Sequence, residues 1–192
     1  RMAKRLTDVL GGLVGVAVLC LAAPIIALAI WVDSGRPVFY RQVRAGFGGR
    51  PFTLLKFRTM VPDAEPGGQP QWAGPADPRV TRVGRWLRLM RLDELPNLLS
   101  VLRGDMSLIG PRPERPEFVA ALERQVPLYR ARLMARPGLT GWAQVNHPYG
   151  DSVSDAEAKL EYDLYYLKHR SLPFDAWIVI RTFASVFGFR GR

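Results

Sequence analysis

Between Val9 and Val32 the chain carries no charged side chain, and the run VLGGLVGVAVLCLAAPIIALAIWV is apolar on every face of a helix. At 1.5 Å per residue it makes roughly 36 Å of helix, long enough to cross a bilayer core. The pattern then changes period. PVFYRQVR and FTLLKFRTM, on either side of AGFGGRP, are β-prone runs around a glycine turn and predict a hairpin. PDAEPGGQPQWAGPADP is dense in Pro, Gly and polar residues and reads as a loop. Helical spacing of apolar residues returns near 80–92, 96–103, 115–134, 154–169 and 173–187.

The apolar run has basic residues at both ends: Lys4 and Arg5 before it, and Arg36, Arg41 and Arg44 after it. Positive charge favours the cytoplasmic side, and one straight span cannot place both ends there. Pro24, in the second half of the run, removes a backbone hydrogen bond and crowds the preceding turn, so a bend there would return the chain to the face it entered. A re-entrant helix is the expectation, with a kinked ordinary span as its rival. A cleaved signal peptide suits neither the length of the run nor the absence of a cleavage site.

With 192 residues the chain is one domain with a real interior. Its 27 Lys and Arg against 17 Asp and Glu give a net charge of +10, which selects anionic partners: phosphates, nucleic acid or an acidic membrane surface. Cys20 is the single cysteine, so no internal disulfide framework exists, and no Cys/His cluster offers a zinc site. Arg79, Arg82, Arg85, Arg88 and Arg91 recur at every third position around Val83, Trp86, Leu87 and Met90. That step drifts around a helix, so some of these arginines face solvent or lipid headgroups and others turn inward, as on an interfacial amphipathic helix.

Asp93 and Glu94 follow this helix directly. Pro96 suits the first position of a short helix, PNLLSVLRG, that Gly104 would end. The two acids would then lie just ahead of a helix N-terminus, held ionised by its dipole and the nearby arginines. One ionised aspartate is a nucleophile, and an adjacent carboxylate can hold Mg²⁺ against phosphate oxygens. On the dipeptide alone, salt bridging to Arg88 or Arg91 is the favoured explanation of the pair. The neighbouring motifs weigh against that. Pro111 and Pro113 fix Arg112 between rigid residues, and ARPGLTGWAQVN gathers Arg136, two glycines, Gln144 and Asn146 in one polar loop. Together these pieces describe metal-assisted phosphoryl transfer at a membrane surface.

The stretches KRLTDV, DSGRPVFYRQVRAGFGGRPFTLLKFRTM, DPRVTRVGRWLRLMRLDELPNLLSVLRGDMSLIGPRPERPEF, RPGLTGWAQVN and YDLYYLKHRSLPFDAWIVIRT closely resemble the bacterial sugar transferase family, the monotopic polyprenyl-phosphate phosphoglycosyl transferases, over nearly the whole chain. The closing region is most similar to the exopolysaccharide branch, whose members often carry further N-terminal membrane helices and a regulatory domain. The chain is thus read as the catalytic part of a longer protein or as a short natural form. The resemblance implies a mainly α fold with a small β-hairpin (α+β): a kinked re-entrant membrane helix over residues 1–35 and a cytoplasmic, membrane-associated catalytic domain with interfacial amphipathic helices over 36–192. One departure is Ala23-Pro24, where many short members have Ser-Pro; the kinking proline is kept and the serine hydroxyl is lost.

The resemblance further implies a ping-pong reaction at the cytoplasmic face of the inner membrane. Asp93 would attack the β-phosphate of a UDP-sugar, a UDP-hexose such as that of glucose or galactose, and release UMP. Polyprenyl phosphate would then take the sugar phosphate. Glu94, beside Asp93, would hold Mg²⁺, and Arg112 would contact the nucleotide or its phosphates. Lys56, Arg58, Arg88 and Arg136 are candidates for the remaining phosphate charge. Asp163 and Asp175 match acidic family positions and are read as salt-bridging groups. His147, His169, Tyr162, Tyr165 and Tyr166 are read as structural. No nucleic acid is expected, since no nucleic-acid module is present, and a homodimer is left open. The competing readings are a metal-dependent hydrolase of UDP-sugars or polyprenyl diphosphates, and a non-catalytic basic module that binds acidic lipid.

Overall fold

The computed structural model describes residues 2–65, 77–147 and 152–188. It opens with one long helix, α1 (Met2–Ser34), in which Pro24 lies. The hairpin follows as β1 (Phe39–Ala45) and β2 (Pro51–Phe57), antiparallel in register from Phe39 opposite Phe57 to Ala45 opposite Pro51. Its turn needs glycine, because Gly48 and Gly49 take φ of 64° and 82°. The loop expected at 62–78 falls largely at positions 66–76, outside the described residues.

Three helices depart from the sequence expectation. α2 (Arg82–Leu89) is capped by the Thr81 side chain and ends earlier than predicted, where Arg91 adopts a left-handed φ of 54°. That reversal starts a 3₁₀ segment, Leu92–Asn97, which contains Asp93, Glu94 and Pro96. Pro96 therefore does not open the next helix, and the acids lie inside a tight turn rather than ahead of a helix. α3 (Leu98–Arg103) follows, ended by Gly104 with φ 94° as expected. The single helix expected over 115–134 is two pieces, α4 (Pro116–Leu122) and a 3₁₀ segment at Tyr129–Met134. Pro127 between them lacks an N–H and disfavours helical geometry before it, and Leu128 turns the chain with φ 61°.

Two short strands escaped the sequence reading. β3 (Ser107–Ile109) and β4 (Gly138–Thr140) pair in parallel, which brings the Pro111–Pro113 stretch beside the Arg136 loop. α5 (Trp142–Asn146), α6 (Val153–His169) and α7 (Leu172–Phe187) complete the body, the last two close to their predicted bounds.

α1 is built into this body. Gly11, Gly12 and Gly15 let it approach so closely that an added Cβ would come within 2.6–2.8 Å of Leu108, Leu102 and Leu98. Its second half buries Leu19, Ile26 and Ile30 with Phe57 and Leu87. Both ends are tied by polar contacts. Near the start, Asp8 accepts from the Ser107 hydroxyl and the Leu108 N–H, and Arg5 donates to the Val101 and Leu102 carbonyls. Near the end, Arg58 donates to the Ser34 and Gly35 carbonyls, and the Val83 N–H to Asp33. The opposite face of α1 leaves Leu10, Val14, Val18, Leu21, Ile25 and Val32 exposed, and by length and composition α1 is apolar enough to cross a membrane. Trp86 on α2 and Trp177, Ile180 and Phe183 on α7 are exposed as well.

Candidate functional site

The acidic pair is placed by close packing of three elements. Gly84 in α2 lies against the Thr59 carbonyl, where a Cβ would stand 2.1 Å away, so α2 can sit directly on the end of β2. The Arg91 turn then lays Leu92–Asn97 alongside β2, where buried Asn97 accepts from the Leu55 N–H at 3.1 Å. Leu55 thereby fixes its neighbour Lys56 toward Glu94.

Glu94 is gripped by two cations. Its Oε1 accepts from Lys56 Nζ and from Arg112 Nη2, each at 2.6 Å, and its Oε2 accepts from Arg112 Nη1 at 3.3 Å. Burial opposes ionisation, yet Arg112 and Lys56 together hold this carboxyl well below its usual range. Asp93 is also buried, but no hydrogen bond or ion pair claims its carboxylate among the described residues. The sequence expectation that the acids are held ionised agrees with the lowered pKa of Glu94. For Asp93, burial and the like charge of Glu94 push the pKa above the ordinary carboxylate value, against the pull of Lys56, Arg112 and Arg88.

The Arg112 backbone is fixed residue by residue. The Pro111 carbonyl accepts from the Gly138 N–H at 2.8 Å, the Arg112 carbonyl from Arg132 at 3.1 Å, the Pro113 carbonyl from Arg44 at 3.1 Å, and the Glu114 carbonyl from the Ala45 N–H at 2.8 Å. With a proline on each side, the Arg112 guanidinium is presented by a backbone that has little freedom. Lys56, Glu94, Asn97, Met106, Arg112 and Pro113 line a small cleft.

The remaining predicted residues divide. Arg88 is near enough to Asp93 to lower its pKa, and its Nε donates to Thr59 Oγ1 at 2.8 Å. Arg58 is buried beneath the end of α1, committed to Ser34 and Gly35. Arg136 is exposed, and the Gln144 amide donates to the Leu139 carbonyl, bracing its own loop. Thus Lys56, Glu94 and Arg112 are in direct contact and Arg88 acts on Asp93, while Arg58 and Gln144 hold structure. His147 approaches Asp155 and Tyr162, and His169 stacks on Tyr165, in keeping with structural roles. Asp175 pairs with Lys4 at 2.8 Å and accepts from the Tyr166 hydroxyl; Asp163 pairs with Arg132. Sequence reasoning missed Asn97, Arg44 and Arg132. Asn97 carried one usable signal, a polar residue inside an apolar run, whereas the two arginines were indistinguishable from the other basic residues.

Among the described residues no group of three or more His, Cys, Asp or Glu is arranged to hold a metal. Mg²⁺, however, takes one or two carboxylates and completes its shell with substrate phosphates and water. The unclaimed Asp93 carboxylate beside Glu94 fits that donor set, provided that an anionic ligand takes over the cations now on Glu94.

The chain thus joins a helix long and apolar enough to cross a membrane to a body that sets paired carboxylates among cations. The bacterial sugar transferase family matches residues 1–189, and the chain belongs to that family. It is 43% identical over 190 residues to the UDP-N-acetylgalactosamine-undecaprenyl-phosphate N-acetylgalactosaminephosphotransferase of Aeromonas hydrophila, a match covering 98% of this chain and 45% of that protein. It is 44% identical over 185 residues to the UDP-glucose:undecaprenyl-phosphate glucose-1-phosphate transferase of Caulobacter vibrioides, covering 95% and 69%. The undecaprenyl-phosphate glucose phosphotransferase of Komagataeibacter xylinus is 40% identical over 184 residues, covering 93% and 35%. The chain therefore spans less than half the length of two of these relatives.

Proposed function

We propose that the chain is a phosphoglycosyl transferase that moves a sugar 1-phosphate from a UDP-sugar to polyprenyl phosphate in two half-reactions. One observation carries the reading: the Asp93 carboxylate is buried and unclaimed, one residue from a Glu94 whose oxygens are engaged by Lys56 and Arg112. That is a nucleophile next to two cations sized for a diphosphate. In the first half-reaction an Asp93 oxygen forms a bond to the β-phosphorus, the bond to the bridging oxygen breaks, and UMP leaves with that oxygen. In the second, a polyprenyl phosphate oxygen attacks the same phosphorus and Asp93 leaves as a carboxylate. Both nucleophiles and both leaving groups are anions, so little proton transfer is needed and no histidine base is required.

Lys56 and Arg112 shift from Glu94 to the donor's phosphate oxygens as it binds, and Glu94 is released. Glu94 and Asp93 would hold Mg²⁺, which when bound neutralises charge on the transferring phosphoryl group. Burial of Asp93 restricts the access of water to the acyl phosphate, so that the acceptor rather than hydrolysis discharges it.

The relatives' names supply the donor and acceptor classes: UDP-glucose or a UDP-N-acetylhexosamine, and undecaprenyl phosphate. The two tied ends of α1 support a re-entrant helix, because a helix crossing the bilayer would put its ends on opposite sides while both here bind one body. The body would then lie at the cytoplasmic face of the inner membrane. The test uses purified protein, Mg²⁺ and UDP-sugars labelled in the sugar. Covalent label that forms without acceptor, is discharged by polyprenyl phosphate and is lost in Asp93→Asn is the expected result. Free sugar phosphate with no covalent species would instead establish a hydrolase.

A further inference from the structure

Arg132 is buried, with a side-chain exposure of 5%; its nearer counter-ion Asp163 is at 2%, and Glu114 is a second, at 3.8 Å from Nη1. Neither Arg132 nor Asp163 touches the acidic pair, yet the guanidinium makes directed contacts on several sides. Its Nε and Nη2 both meet Asp163 Oδ2, at 3.0 and 2.8 Å. Its Nη1 donates to the Tyr129 hydroxyl at 2.7 Å, and the Tyr129 ring centre lies 5.2 Å from the guanidinium carbon. The remaining reach of Nη2 is to the Arg112 carbonyl at 3.1 Å. A buried ion pair is a weak device for stability, since apolar residues of similar volume commonly serve as well. What apolar residues cannot supply is a donor to that carbonyl.

The carbonyl in question belongs to the residue whose side chain must meet Glu94 at 2.6 Å. Its neighbours on the same stretch are fixed by backbone N–H groups or by Arg44, which lies at the edge of the site cleft. Arg132 reaches it from the interior, out of the Tyr129–Met134 segment, and an ionised Asp163 on α6 sets the orientation of the guanidinium. We propose that Arg132 and Asp163 are a positioning pair for Arg112 that sets donor binding in the first half-reaction and leaves the acceptor half-reaction untouched. This rests on the function proposed above. Displacement by an ångström at such a clamp is enough to cost on the order of 10²-fold in rate, so the effect is measurable without loss of the fold.

The experiment compares Asp163→Asn, Asp163→Glu and Tyr129→Phe in the full chain, with melting temperatures taken for each. Single-turnover labelling is followed against UDP-sugar concentration, and discharge of pre-labelled enzyme against polyprenyl phosphate. For Asp163→Asn the donor concentration for half-maximal labelling should rise roughly tenfold or more, with discharge unchanged. Asp163→Glu, which keeps the charge, should recover most of the loss. Tyr129→Phe removes one hydroxyl and should give a smaller shift in the same direction; it carries the test if Asp163→Asn does not fold. Labelling and discharge falling in parallel with the melting temperature would overturn the proposal in favour of a structural role, and so would a wild-type donor dependence in folded variants. Wild-type protein that never acquires label would sink the proposed function itself, a separate outcome.

Discussion

Replacing Lys56 with Met and Arg112 with Gln, singly and together, tests whether the grip on Glu94 is the donor's landing site. Each cation contributes a charge-assisted hydrogen bond of 2.6 Å to the same oxygen. Such bonds contribute about 1.5–3 kcal/mol each. At about 1.4 kcal/mol per decade, losing either cation should slow labelling at subsaturating donor by roughly 10- to 100-fold. Arg112 has a second contact, but at 3.3 Å and with a side chain 30% exposed, so solvent screening keeps its effect in the same range as that of Lys56. The double variant is the sharper case. With neither cation, buried Glu94 has no partner from the grip and takes up a proton rather than remain charged. On the proposed function the site would then lose an anionic metal ligand as well as two phosphate contacts, and the combined loss should exceed the product of the single losses by about 0.5–3 kcal/mol of coupling. Quenched single-turnover labelling over a range of donor concentrations reads all four proteins. Wild-type labelling in Lys56→Met would refute the reasoning, and so would a double variant that equals the product of the singles.

Two further outcomes are expected. Gly15→Val would drive a side chain into Leu98, whose Cδ1 would stand 2.7 Å from the new Cβ, costing about 1–3 kcal/mol of stability by overpacking; thermal melts in detergent should show it together with lost labelling, whereas Gly48→Ala, which meets no neighbour and costs only the backbone strain of its φ of 64°, should lower the melting temperature less and keep labelling. Asp163 supplies a pH dependence. Burial pushes it up to about 6, with Arg132 opposing, Glu114 adding to the push and Lys159 drawing it back. Its folded value lies above the ordinary carboxylate range, so its contribution to stability is present below that range and is lost as pH rises through about 6. The ion pair with Arg132 runs the other way and exists only when Asp163 is ionised. Half-saturating donor concentration should therefore rise as pH falls through about 6, and Asp163→Asn should lack that rise. The same rise in Asp163→Asn would exclude this group as its source.

The apolar run, the hairpin and the two closing helices were legible because each has a strong, uninterrupted signal: unbroken hydrophobicity, alternation around glycines, or helical period over four turns. The turn at Arg91 was not. Its left-handed backbone is set by packing of α2 on Thr59, and a positive φ in arginine has no sequence signature. β3 and β4 are three residues each, too short for any period, and exist because they pair with each other. The acidic pair and Arg112 stood out by their settings, between arginines and between prolines. Arg58 did not separate from Lys56 by sequence, since the two lie two residues apart on one extended run and only the end of α1 decides which of them points to the site. The raised pKa of Asp93 was equally hidden, because burial is a property of the packed body.

The glycine seam makes the long apolar helix α1 part of the protein's interior. Deleting residues 1–35 would uncover Leu98, Leu102 and Leu108 along one side, and Phe57 and Leu87 along another. It would also strip Ser107, Arg58 and the Leu108 N–H of their partners. Trimming the helix to obtain a water-soluble enzyme would therefore yield an aggregating fragment. Solubility has to come instead from substitutions on the exposed side of α1, at Leu10, Val14, Val18, Leu21 and Ile25, where the body does not lean on the side chains.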